Sequence, residues 1–183
     1  ELISDVLEEQ NTIFHIGRMN WHPSEQRIKW FIEECWGNVR QLTPQVQAYF
    51  AGRYMPQWLK NTNIEGIHIV GEVEDSIRFM TSKQIMVVPL LSGSGIRIKI
   101  IEAMSIGKTV VATSIAAEGI MYEDKKNILI ANTPQEFADA IKFCIENPLE
   151  SKRIGEEAYK LIAEKYSNDQ VVNQLLALYQ QIL

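Results

Sequence analysis

The chain has 183 residues, 46% of them apolar, enough to bury the core of one domain without disulfides or structural metals. Its 18 basic and 23 acidic residues leave a net charge of −5, so no cationic excess is available to neutralise a nucleic-acid backbone, and no nucleic-acid partner is expected. Cys35 and Cys144 lie far apart in helix-like patterns and read as reduced thiols of a cytoplasmic protein, not as a disulfide framework. Neither a signal peptide nor an apolar run of membrane-spanning length is seen; peripheral membrane association of a full-length protein stays compatible with this. The opening ELISDVLEEQ lacks an initiating Met, and the chain reads as a segment of a longer protein.

Strand-like runs occupy residues 12–17 (TIFHIG), 46–52 (VQAYFAG), 66–70 (GIHIV), 85–89 (IMVVP), 108–113 (KTVVAT) and 127–131 (NILIA). They are rich in β-branched residues, and several end at Gly or Pro, as buried parallel strands do. Helical patterns fill the gaps. Residues 23–39 repeat apolar side chains at Ile28, Phe31, Ile32, Cys35 and Val39, with Pro23 suited to the first turn. Residues 74–81 predict a short helix capped by Asp75, and residues 95–106 a helix closed by Gly107. Residues 133–146, 149–165 and 168–182 predict three more. The last has a wide apolar surface, which fits either core packing or docking to another domain. This β-α alternation predicts an α/β fold: a Rossmann-like parallel β-sheet with helices on both faces, forming one domain over residues 1–183 with 149–183 as its C-terminal helices. Ligands of such sheets bind where strands end and helices begin. The turns after Gly17, Gly52, Val70 and Pro89 are therefore the places to look for chemistry.

The segment 87–114, VVPLLSGSGIRIKIIEAMSIGKTVVATS, is the most informative. A buried strand ends at Pro89, a glycine-rich loop follows, and a helix opens near Gly95. Glycines allow close backbone approach, and the first N–H groups of a helix lack internal partners, so the junction can hold an anion. Arg97 and Lys99 stand at the positive end of the helix dipole, where cations are disfavoured by roughly 0.3–1 kcal/mol each. A bound dianion would remove the conflict; side chains extended into water are the alternative. Gly95, Lys99 and Glu102 are spaced i, i+4 and i+7 and would share a helix face, offering backbone donors and an ammonium first, then a carboxylate. A diphosphate followed by a ribose has that polarity. An intrahelical ion pair with Lys99 is the other reading of Glu102.

The pattern PL-x-SGSG-x-R-x-K-x-x-EAM, continued by G-K-x-VVATS-x-x-AEG through Ala117, Glu118 and Gly119, resembles the donor-site signature of the retaining GT-B-fold glycosyltransferases of group 1. The resemblance extends to FHIGRMNWHPSEQRIKWF, VQAYFAGR, GIHIVGEVEDSIRFM and the tail AEKYSNDQVVNQLLALYQQIL, essentially the whole chain. It implies the donor-binding C-terminal half of a two-domain hexosyltransferase that takes a nucleotide-diphosphate sugar, without a metal or other cofactor. The acceptor, a glycan or lipid-linked molecule, would be held by an N-terminal domain absent from this chain. On this resemblance Gly17 and Arg18 would approach the diphosphate and sugar. Gly93, Ser94, Gly95 and Ile96 would cradle the distal phosphate. Arg97 and Lys99 would stabilise the leaving diphosphate, Glu102 would bind the ribose, and the loop of Glu72 and Val73 would border the base. Two departures stand out: Ser94 replaces the first of two glutamates common in relatives, and Ser24 stands where many have a lysine. Polysaccharide biosynthesis is the implied setting, and the isolated fragment is expected to be inactive.

Other candidates are weaker. His15, His22 and His68 have no metal-ligand spacing, and no CxxC, HExxH or GxSxG pattern occurs. His15 and His68 read as structural, Trp21, Trp30, Trp36 and Trp58 as packing residues, and Arg53, just after a strand-ending glycine, as a surface arginine, with a place facing the cleft as the alternative. A nucleotide-sugar epimerase of GT-B architecture and a non-catalytic nucleotide-binding module are the rival readings.

Overall fold

Short β-branched runs are fully buried only if helices cover each face of the sheet they form. The computed structural model, which describes residues 6–19, 22–93 and 95–166, has that arrangement. Its strands are β1 (Thr12–Ile16), β2 (Gln47–Ala51), β3 (Ile67–Gly71), β4 (Ile85–Val88), β5 (Thr109–Ala112) and β6 (Leu129–Ile130), and all fall on the predicted runs. They are parallel, in the order β3-β2-β1-β4-β5-β6. The chain winds outward from β1 to β3, then crosses back to lay β4 on the other side of β1. Where winding reverses, the connections leave β1 and β4 in opposite directions and open a crevice at the strands' carboxyl ends.

The helices are α1 (His22–Trp30), α2 (Trp36–Leu42), α3 (Gln57–Lys60), α4 (Ser76–Thr81), α5 (Ile98–Ser105), α6 (Pro134–Glu146) and α7 (Pro148–Lys165). Strand alternation divides the core in two. Ile13, Ala48, Phe50, Ile85, Val87 and Val111 face α1, α2, α3 and α6, while Phe14, Ile16, Met86, Val88, Val110 and Ala112 face α4, α5 and α7. Each large side chain buried in this way contributes about 1.5–3 kcal/mol. In the first layer Phe31 meets Phe137 edge-to-face at 5.8 Å, and Trp30 meets the same ring at 5.9 Å. Cys35 and Cys144 are buried there, and burial pushes their thiols up, to about 12 with help from Glu34 and to about 11 respectively.

Several boundaries differ from those the sequence predicts. The helix expected over residues 23–39 is interrupted by a π-helical turn at Phe31–Cys35, which widens one turn while keeping Phe31, Ile32 and Cys35 inward. Asp75 does cap α4, accepting from the Arg78 N–H at 2.9 Å. Helix α5 begins at Ile98, not at Gly95, because Gly93 (φ 121°) and Gly95 (φ 89°) hold the preceding loop in conformations a helix cannot use. Helix α3 was not predicted, and the helix predicted over 168–182 lies outside the described residues. At the amino ends of the strands, buried Lys83 and Lys108 pair with Glu9 and Glu8, and Lys108 also donates to the carbonyls of Thr81 and Lys83 at 3.0 and 2.7 Å. This fixes the segment before β1 at the edge opposite the crevice.

Candidate functional site

The crevice is built by backbone lacing between strand ends. Gly17 N–H donates to the Ala51 carbonyl at 3.2 Å, Met19 N–H to that of Arg53 at 3.0 Å, and Gly52 N–H to that of Gly71 at 2.7 Å. The turns after β1 and β2 touch so closely that a Cβ on Gly52 would lie 1.8 Å from the Gly17 carbonyl oxygen, and Gly52 has φ 143°. Only glycine fits there.

Above this floor is a cleft of about 250 Å³, lined by Ile16, Gly17 and Arg18 after β1, Gly52 and Arg53 after β2, Glu72, Val73, Glu74 and Ser76 after β3, and Lys99 from α5. Arg53, expected on an ordinary surface, lines the cleft, with Nε donating to Glu72 Oε1 at 2.5 Å. The Arg18 guanidinium sits 5.2 Å from the Tyr54 ring centroid, a cation–π contact beside the cleft mouth. Lys99 Nζ reaches Ser76 Oγ at 3.3 Å and Glu102 Oε2 at 2.5 Å, both side chains being about one-third exposed. The pair is thus the intrahelical bridge that was one reading of Glu102, and it sits on the cleft wall.

The glycine loop joins β4 to α5, the helix that carries Lys99. Leu90 is buried, its carbonyl held by the Thr113 hydroxyl at 2.5 Å, so the loop starts from a fixed point. Arg97, at the N-cap of α5, folds back over the loop: Nη1 donates to the Gly95 carbonyl at 2.9 Å, and Nη2 lies 2.9 Å from where a Gly93 Cβ would be. Ile96 turns toward the turn after β5, where a Cβ on Gly119 would meet its Cγ1 at 2.8 Å. Because α5 begins at Ile98, Gly95 does not share a helix face with Lys99 and Glu102; those two residues, about 4.5 Å apart along the axis, still do. Ser94 lies outside the described residues.

Of the predicted residues, Gly17, Arg18, Glu72, Val73 and Lys99 meet in the cleft, with Glu102 attached through Lys99. Gly93, Gly95 and Arg97 form the adjoining loop, and Ile96 packs away from it. Two polar groups lie against the Gly17 turn: His15, read from the sequence as structural, and Arg27, not singled out from the sequence. His15 is buried, its Nδ1–H donating to the Val87 carbonyl at 2.8 Å, and burial, then the charge of Arg27, holds it down to about 3, so the ring is neutral. Arg27 is pulled down to about 10 by burial and then by the charge of Arg97, and is still cationic at neutral pH. The available signal was its position, one turn before Phe31 on the buried stripe of α1, where a charge needs a reason. His68 donates its Nε2–H to Gln47 Oε1 at 2.8 Å and stacks on Tyr49 at 4.7 Å, an exposed sheet-edge contact. Among the described residues no group of three His, Cys, Asp or Glu side chains is arranged to hold a metal, and no helix is long and apolar enough to cross a membrane.

A doubly wound parallel sheet with loops converging on its switch point defines a Rossmann-like α/β domain of the GT-B type. The family model described as Glycosyl transferases group 1 matches residues 10–147, and the chain belongs to that family. It is 25% identical to an uncharacterized 44.6 kDa protein in the cps region of Klebsiella pneumoniae, over 92% of this chain and 46% of that protein. Among solved structures it resembles S. aureus TarM in complex with fondaparinux, α-GlcNAc-glycerol and UDP (22% identity, TM-score 0.79, 96% of this chain and 36% of that one). It also resembles Anabaena Alr3699/HepE in complex with UDP (20%, 0.71, 95% and 49%). The C-terminal domain of the group 1 family protein LpcC from Francisella tularensis is matched at 19% identity and TM-score 0.67, over 89% of both chains. The chain spans less than half the length of the curated relative.

Proposed function

We propose that this chain is the donor-binding part of a glycosyltransferase, holding a nucleoside-diphosphate sugar across the carboxyl ends of β1, β2, β3 and β4. The observation that carries this is the cleft at the switch point, whose lining sets Arg18, Arg53 and Lys99 beside Glu72 and Glu74, with Arg53 and Lys99 in solvent-accessible ion pairs to Glu72 and Glu102 and with Arg97 on the glycine loop after β4. Such accessible pairs are weak, so the cations can turn to a phosphate, and a switch point is where nucleotides bind in open parallel sheets. TarM and HepE, which share the fold, are described in complex with UDP.

In this reading the base lies toward Glu72 and Val73, the ribose hydroxyls bond to Glu102, and the diphosphate lies between Gly17 and the loop of Gly93, Ser94, Gly95 and Ile96. Lys99 then exchanges Glu102 for phosphate, which frees the carboxylate for the ribose. As the bond from the sugar's anomeric carbon to the diphosphate breaks, the electron pair stays on the diphosphate, and Arg97 and Lys99 stabilise that charge. An acceptor hydroxyl, from a glycan or lipid-linked molecule held by an N-terminal domain, forms the new bond with retention of configuration and gives its proton to the departing diphosphate oxygen. Arginine, lysine and helix dipole supply the positive charge that a metal would otherwise provide.

Calorimetry with UDP, GDP and ADP and their sugars tests the assignment. One nucleoside diphosphate is expected to bind, and Lys99→Ala to weaken it by roughly 10- to 100-fold, as for a lost charge-assisted contact. Binding of none of them, or no effect of Lys99→Ala, would remove the proposal's basis.

A further inference from the structure

Helix α1 sets one half-buried cation, Arg27, against the turn after β1, and no ion pair described in the fold neutralises it. A Cβ on Gly17 would lie 3.2 Å from Arg27 Nη2 and 3.7 Å from His15 Nε2, so both side chains lie against the turn that borders the cleft. Arg27 Nε and His15 Nε2 are buried without hydrogen-bond partners. Among the described residues no carboxylate forms an ion pair with Arg27. The charge that acts on it is that of Arg97, a second guanidinium. A desolvated cation facing a like charge is unfavourable, and natural proteins keep such pairs where a counter-charge arrives.

We propose that Arg27 is a ligand of the donor diphosphate, contacting the phosphate that bears the sugar from beside the Gly17 turn while Arg97 contacts it from the glycine loop. This rests on the nucleotide-sugar reading of the cleft and adds to it. The distal phosphate follows from strand order. Glu72 and Val73, on the β3 side, are where that reading puts the base. Arg27 lies against Gly17 after β1 and is felt by Arg97 after β4, at the other end of the crevice. His15 supports the arrangement sterically: with its proton given to Val87 it adds no third charge.

The test compares the intact protein with Arg27→Met and Arg27→Lys by calorimetry, using UDP, GDP and ADP with their monophosphates, and by thermal melting without ligand. Arg27→Met is expected to lose roughly 10- to 100-fold in affinity for the diphosphate that binds. Its monophosphate affinity should stay within about twofold, and its ligand-free melting temperature should hold or rise because an uncompensated buried charge is gone. Arg27→Lys should recover part of the diphosphate affinity. Diphosphate binding by Arg27→Met equal to that of the unmodified protein would overturn the inference and leave the nucleotide site standing. So would an equal loss of both nucleotides together with a lower melting temperature, which marks a structural arginine. If the unmodified protein binds none of the three diphosphates, the nucleotide reading fails and this inference fails with it.

Discussion

Lys99 and Glu102 form an ion pair, and the proposed function gives them separate roles. A partly exposed i, i+3 pair contributes only about 0.2–0.5 kcal/mol, so in that proposal exchanging it for contacts with a phosphate and a ribose costs little. Glu102→Gln is therefore expected to leave the melting temperature nearly unchanged while weakening a nucleoside diphosphate by about tenfold. A 2′-deoxynucleotide should lose much less, and equal losses for the two would place Glu102 away from the ribose. His15 makes a prediction of a different kind. It titrates near 6.5 when unfolded and near 3 in the native state, so between these values the unfolded chain binds a proton that the native protein does not. Native stability is then greatest above pH 6.5 and falls as the pH is lowered, by up to roughly 1.4 kcal/mol per unit from this group. Urea midpoints of His15→Asn should fall less steeply than those of the unmodified protein between pH 6.5 and 4; parallel profiles would show that the imidazole is not held neutral.

At the scale of elements, the junction of the turns after β1 and β2 is the least tolerant point of the site. A methyl group on Gly52 would have to occupy the position of the Gly17 carbonyl, so Gly52→Ala should cost about 3 kcal/mol or more and abolish nucleotide binding along with it. A urea midpoint within error of the unmodified protein would mean that the two turns are not in contact. The six strands were legible because buried parallel strands are short β-branched runs ended by Gly or Pro, and IMVVP and TIFHIG have little else to be. The start of α5 was not, since Gly95 looks like a first helical residue until its φ of 89° is known. The π-helical turn at Phe31–Cys35 left no mark either, because Ile28, Phe31, Ile32 and Cys35 keep the spacing of an ordinary helix. Glycine turns, Arg97, Lys99 and Glu102 could be read from their order along the chain. Arg27 could be noticed as a charge on the apolar stripe of α1 but not placed, because its nearness to the Gly17 turn is a tertiary fact.

Over the whole molecule, the sheet separates two electrostatic tasks. At its amino end Lys83 and Lys108 are buried in ion pairs with Glu9 and Glu8, while at its carboxyl end Arg53 and Lys99 pair with Glu72 and Glu102 within reach of solvent at an open cleft. A ligand that binds only the folded state should stabilise it by about 2.7 kcal/mol at 100 times its Kd, raising the melting temperature by roughly 5–10 °C for a domain of this size. A saturating nucleoside diphosphate that leaves the melting temperature unmoved would contradict binding at a site spanning four strand ends. The two sequestered cysteines also have a practical use. With their thiols pushed to about 12 and 11 and enclosed in the helical layer, Cys35 and Cys144 should ignore maleimide reagents near neutral pH. A Glu74→Cys substitution at the exposed rim would then take up a fluorescent dye selectively in the otherwise native background, so that occupancy of the cleft could be followed as a change in emission, without acceptor or turnover.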